Sequence, residues 1–165
     1  MKLTNFRIAL VAIFAFLTLA PLSAQTDEMI VRCVAFYNLE NVFDTIHDEG
    51  KNDYEYLPDG GMKWTKFKYE EKIKNMAYAI AQLGTDRDPR GAACVGVSEV
   101  ENIGCLHDLC RELKEKHNRN YVPILLEGPD RRGIDVGFLY NPDMFKPVGQ
   151  PKGYELKAHY ADGGV

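Results

Sequence analysis

Positive charge is in short supply in this chain, where 20 Lys and Arg stand against 24 Asp and Glu for a formal net charge of −4. A non-specific nucleic-acid binder normally carries a strong basic excess, so that electrostatic footprint is missing. Histidine and cysteine are scarce too, at four residues each, and the cysteines at 33, 94, 105 and 110 fit no zinc-site spacing. Apolar runs long enough to cross a bilayer are lacking: the longest, Ile8 to Leu19, has twelve apolar-biased residues. The acids of Asp44 to Gly61 do not follow the alternating pattern of a calcium loop, and no internal repeat or low-complexity tract breaks the chain.

The short N-terminal run is preceded by Lys2 and Arg7 and followed by the small pair Ser23-Ala24. Residues 1–24 therefore read as a secretory signal peptide, with an uncleaved anchor helix as the alternative. Export to a periplasm or to the medium is expected, with no stable membrane insertion. Cleavage would remove two positive charges and no negative ones, leaving −6 over the 141 residues 25–165, the length of one modest domain. Lys63, Lys66, Lys68, Lys72 and Lys74 cluster near a helix start, but Glu70 and Glu71 interleave with them, which points to a solvated helix face. Two disulfides could form in an oxidising compartment. Cys33 and Cys94 lie in strand-like runs, however, and Cys105 and Cys110 point in different directions on a helix, so free, mostly buried thiols are expected.

Along the chain, strand and helix signals alternate. Val31 to Tyr37 is a β-rich alternating run, and Asp44 to Gly61 is an acidic, flexible surface loop with the turn signal Pro58-Asp59-Gly60-Gly61. Trp64 and Phe67 follow, as a packing lid or, alternatively, as rings that stack a base or sugar. Tyr69, Ile73, Met76, Ala77, Ile80 and Leu83 recur at helical spacing up to Gly84, a C-terminal cap. Ala92 to Val97 is the next apolar strand. Asn102 caps a second helix with the stripe Leu106, Leu109, Cys110 and Leu113. Tyr121 to Leu126 and Ile134 to Tyr140 read as two further strands joined by a tight connection, and Phe145 to Leu156 as a ragged edge strand interrupted by Pro147 and Pro151.

Chemistry concentrates at two strand ends. The first strand closes on Asn38-Leu39-Glu40-Asn41 and the second on Ser98-Glu99-Val100-Glu101-Asn102, so an amide and a carboxylate leave neighbouring strands together. Ligands in open α/β sheets gather outside the carboxyl ends of strands. Mg²⁺ accepts one or two carboxylates and keeps several waters, which such a pair can satisfy without a histidine cage. Glu99 is the leading ligand candidate against the alternative of a solvent-exposed acid capping the next helix. Glu101 is either a partner behind that ligand or an N-terminal helix charge, and Glu40 either orients the site or only begins a loop. Arg131 and Arg132, on the loop before the fourth strand, can grip a phosphate or simply pair with Asp130. Asp135, inside an apolar strand, calls for a structural hydrogen bond or an arginine partner.

Three segments together, Tyr37-Asn38-Leu39-Glu40-Asn41, Glu99-Val100-Glu101-Asn102 and Arg132-Gly133-Ile134-Asp135-Val136-Gly137-Phe138-Leu139-Tyr140, resemble the first half of the endonuclease/exonuclease/phosphatase superfamily of metal-dependent phosphodiesterases. The resemblance covers roughly Ile30 to Pro147. It implies an α/β fold, the first half of a four-layer α/β/β/α sandwich whose mixed sheet carries two covering helices, with residues 25–165 as a truncated N-terminal part of the domain. It also implies Mg²⁺, with Mn²⁺ as a substitute, held by Glu99 and Asn38, and hydrolysis of phosphate esters, with phosphodiesters such as nucleic acid as the expected substrates. None of His47, His107, His117 and His159 stands where the family's catalytic histidines do, so an isolated fragment is expected to be inactive. A bared inner sheet face would then favour self-association. The alternative is a secreted, non-catalytic binding module on the same scaffold; nothing in the sequence points to a protein partner.

Overall fold

The computed structural model describes residues 30–154. The signal expected over residues 1–24 and the end of the expected edge strand, at 155–156, lie outside the described residues. Four strands, β1 (Val34–Val42), β2 (Cys94–Val100), β3 (Val122–Leu126) and β4 (Asp135–Tyr140), form one mixed sheet in the order β1-β2-β4-β3. β1 and β2 run parallel, and β4 lies antiparallel to both β2 and β3. The parallel pair is connected by helix α1 (Lys66–Gln82), and helix α2 (Ile103–His117) links β2 to β3. The expected mixed sheet with two helices is thus present, as a two-layer arrangement among the described residues.

Each helix is bounded by its own sequence. The Thr65 side chain accepts from the Lys68 N–H at the start of α1, and the Asn102 side chain accepts from the Cys105 N–H at 3.0 Å at the start of α2. Gly84, with φ +75°, follows α1 in the left-handed conformation a C-terminal cap requires. Asn118, at φ 54°, does the same for α2, and Lys114, Lys116 and His117 complement the negative end of its dipole. Buried Tyr69, Ile73, Ala77 and Ile80 of α1 meet buried Leu106, Leu109 and Leu113 of α2 over Val95, Val97 and Leu139 of the sheet. Burial of each of these large aliphatic side chains contributes about 1.5–3 kcal/mol.

Strand alternation leaves the opposite face open. Its central row is Phe36, Gly96, Phe138 and Ile124, paired strand by strand across the sheet. Phe36 and Val34 are about two-thirds exposed, and Val136, Phe138 and Val122 are exposed beside them. The Phe36 ring lies over Gly96, where an added Cβ would come within 2.9 Å of it. Among the described residues this face is apolar and exposed.

Three local expectations need correction. From Phe145 to Tyr154 the chain forms no strand: the Met144 and Phe145 N–H groups turn back onto the Asn141 carbonyl, and Pro147 and Pro151 cannot donate to a ladder. The 44–61 loop is pinned rather than flexible. Its Asp53 is 1% exposed and accepts from the Asp48 N–H while facing His47 Nδ1 at 2.5 Å, and a 3₁₀ turn, Tyr54–Tyr56, stacks Tyr56 on Phe43 at 4.1 Å. Of the aromatic pair at the start of α1, Trp64 packs and donates to the Phe43 carbonyl at 2.7 Å, whereas Phe67 is exposed.

Gly137 of β4 lets α2 approach closely, because a Cβ there would fall 2.7 Å from Leu106 Cδ1 and 2.9 Å from Val97 Cγ2. Gly137→Ala is expected to lower unfolding stability by about 1–3 kcal/mol through overpacking. A shift of the urea midpoint at constant slope would measure it; an unchanged midpoint would refute this account of the packing.

Candidate metal centre at the ends of two parallel strands

Leu39 and Val42 are both buried although they are three residues apart, and so are Val97 and Val100. A regular strand buries every second residue, so both strands depart from regular alternation here: β1 takes four residue steps from Asn38 to Val42 where β2 takes two from Ser98 to Val100, and β2 takes those two where β4 takes one from Val136 to Asp135. The pairing registers shift at the same places, between Asn38 and Val42 in β1 and between Ser98 and Val100 in β2. The surplus residues carry the backbone through the left-handed region: φ is 55° at Glu40, 62° at Asn41 and 61° at Glu99. Bulges of this kind re-aim side chains at a sheet rim. Here they turn polar groups of β1 and β2 toward each other.

Asn38 Nδ2 donates to Glu99 Oε1 at 2.9 Å, and Asn38 Oδ1 accepts from the Glu40 N–H at 2.7 Å. The amide orientation is fixed by this network, since the reversed orientation would set an oxygen against the carboxylate. Glu99 is held through one oxygen. Two cations flank it. Lys72 donates to the Glu40 carbonyl at 2.8 Å, and while burial lowers its pKa, the Glu40 and Glu99 carboxylates oppose that shift. Arg132 donates to Asn41 Oδ1 at 3.2 Å, and its pKa is raised by its hydrogen bonds to Asp130, with a smaller contribution from Glu99. A carboxylate with one braced oxygen, beside exposed Glu40, is a donor set that fits a hard divalent ion completing its shell with water. Nothing at this rim is a soft ligand.

The two arginines part company. Arg132 grips Asp130 through Nε and Nη2 at 3.2 and 3.1 Å, whereas Arg131 has no ion-pair partner among the described residues. Glu101 turns into the interior, 4% exposed, where it accepts from the Asp44 N–H at 2.7 Å. Burial, with the nearby charges of Asp44, Asp48 and Asp53, pushes its carboxyl up to about 8, against the opposing Asp44 hydrogen bond. Asp135 is also buried and accepts from the Gly128 N–H at 2.6 Å, the structural bond its position called for.

Sequence reasoning missed Asp44 and Lys72. Asp44 Oδ2 accepts from Asn102 Nδ2 at 3.1 Å, and Asp44, Glu101 and Cys105 offer ligand atoms within 4.8 Å of one another. Burial raises the Cys105 thiol to about 12, and no buried side-chain polar atom among the described residues lacks a partner. The group ties the end of β1 to the start of α2. Its signal in the sequence was Asp44 itself, the first charge after the apolar end of β1. Lys72 gave no signal, since it sits among four other lysines.

The profile of the endonuclease/exonuclease/phosphatase family matches residues 33–163. No curated protein and no solved structure matches the chain.

Glu99 pays for its orientation in backbone strain, because the left-handed conformation costs a residue with a Cβ about 1–2 kcal/mol. Glu99→Gly removes that strain while losing one exposed hydrogen bond and some chain entropy, so a net gain of up to about 1 kcal/mol is expected. Glu99→Val, β-branched at the same φ, should instead lose about 1 kcal/mol or more. Urea unfolding in EDTA tests the pair; if both variants are destabilised alike, the strain assignment fails.

Proposed function

The chain belongs to the endonuclease/exonuclease/phosphatase family, and from that premise we propose that it is an exported, divalent-metal-dependent hydrolase of phosphate esters, with phosphodiesters such as nucleic acid as substrates and Mg²⁺, or Mn²⁺ in its place, as the ion. The observation that carries this reading is the hydrogen bond between Asn38 and Glu99 at 2.9 Å, across two strands, on a strained rim. Left-handed residues with side chains persist where the surroundings over-determine them, and they cluster at functional sites.

In this reading Glu99 holds the ion through its free oxygen, and Asn38 keeps the carboxylate aimed outward. The ion, when bound, neutralises charge developing on the phosphate and orients it for attack. Glu40 adds a second carboxylate at the same rim, and its carbonyl anchors Lys72. Arg132, braced by Asp130, presents a fixed guanidinium to phosphate oxygens; a guanidinium already held in place loses little freedom on binding. The open face bearing Phe36 and Phe138 is where a second sheet would pack to complete a four-layer α/β/β/α sandwich.

Titration calorimetry of the chain with Mg²⁺ is expected to show binding that Glu99→Gln abolishes and Asn38→Ala weakens. Where the chain cleaves plasmid DNA or a bis-aryl phosphodiester, Glu99→Gln should reduce the rate by about a hundredfold or more, the scale of losing charge stabilisation at the reacting group. Unaltered Mg²⁺ binding in Glu99→Gln would overturn the assignment.

A further inference from the structure

The loop between β3 and β4 divides two clefts. On one side a cleft of about 470 Å³ is lined by Ser98, Glu99, Asp130 and Val136. On the other a cleft of about 490 Å³ is lined by Lys51, Asn52, Asp130 and Arg131. The two share the wall Gly128-Pro129-Asp130. Consecutive arginines at 131 and 132 thus serve different spaces: Arg132 bonds Asn41 beside Glu99, and Arg131 lines the second cleft.

The second cleft is built, and its free charge is positive. Asn52 N–H donates to the Arg131 carbonyl at 2.8 Å, joining the 44–61 loop to this one, and Gly133 N–H closes the turn on the Asp130 carbonyl at 3.1 Å. The Lys51 stem packs on Gly133, where an added Cβ would meet its Cγ at 3.1 Å. Lys51 and Arg131 have no ion-pair partner among the described residues. The acid on the shared wall, Asp130, is already engaged by Arg132 through two side-chain bonds and the Arg132 N–H. Asp135 lines the other cleft, is buried and is bonded to Gly128.

We propose that the Lys51 and Arg131 cleft is an anion subsite for a second phosphate, next to the one addressed at Glu99. The substrates are then esters carrying more than one phosphate, and the chain discriminates against esters carrying one. This rests on reading the Glu99 rim as the reacting site, while the subsite itself needs no metal. Two sources supply such a ligand: an oligonucleotide strand and an inositol phosphate headgroup.

The test is direct binding in EDTA with a labelled oligothymidylate tetramer, inositol 1,4-bisphosphate and, as single-phosphate control, thymidine monophosphate. Arg131→Ala and Lys51→Met, the latter keeping the stem on Gly133, are each expected to weaken the multiply charged ligand three- to tenfold and to leave the control unchanged. For the oligonucleotide the slope of log affinity against log salt should fall by about 0.7 per cation removed. An effect confined to the tetramer or to the inositol phosphate supports the subsite and names its source. Equal losses for control and multiply charged ligands, or no loss for either, overturn it. Mg²⁺ titration calorimetry of the same Arg131→Ala and Lys51→Met proteins separates failure of the subsite from failure of the metal assignment.

Discussion

The parallel pairing of β1 with β2, each strand bulged at its carboxyl end, is the constraint on which the site depends. Asn38 lies opposite Ser98 in the register, and just beyond that pair the two chains swell outward together. If only one strand bulged, its polar group would face the flat edge of the other. The buried tie of Glu101 N–H to the Val42 carbonyl at 2.9 Å, and of Asp44 N–H to the Glu101 carboxyl, closes the two strands again behind the swelling. A rigid frame below a strained rim holds side chains to a geometry that loops alone would not keep.

Much of that frame was legible in the sequence because its determinants are local. Apolar spacing from Tyr69 to Ile80 and from Leu106 to Leu113 marked both helices, and Gly84 and Asn102 marked their limits. The acid and amide at the two strand ends were legible too, and the structure brings Asn38 and Glu99 into contact. What was hidden was long-range or conformational. Left-handed backbone at Glu40 and Glu99 leaves no trace in residue type, since glycine and asparagine are the usual occupants. The insertion of β4 between β2 and β3 is a pairing across distant segments. The order in the acidic loop comes from the buried Asp53 carboxyl, the Tyr56–Phe43 stack and the Asn52 bond to the Arg131 carbonyl, which periodicity arguments do not reach.

Function divides between the two faces of the sheet and its rim. Helices seal one face, the other presents aromatic rings, and polar chemistry is pushed to the carboxyl ends of β1 and β2 and the loop before β4. The chain's overall acidity therefore says little about this rim, where Lys72 and Arg132 surround Glu99. Net charge describes how a molecule behaves at a distance, and local placement decides what it grips.

All four cysteines are free, with Cys94, Cys105 and Cys110 buried. Burial raises the Cys94 thiol and pushes Cys105 and Cys110 up to about 12. Only the deprotonated sulfur attacks peroxides and strained sulfur–sulfur bonds, so at those three positions the native fold offers almost nothing to react. At those three positions redox damage is thereby a hazard of the nascent chain, before the helices close over the sheet, and the speed of that closure becomes the protection.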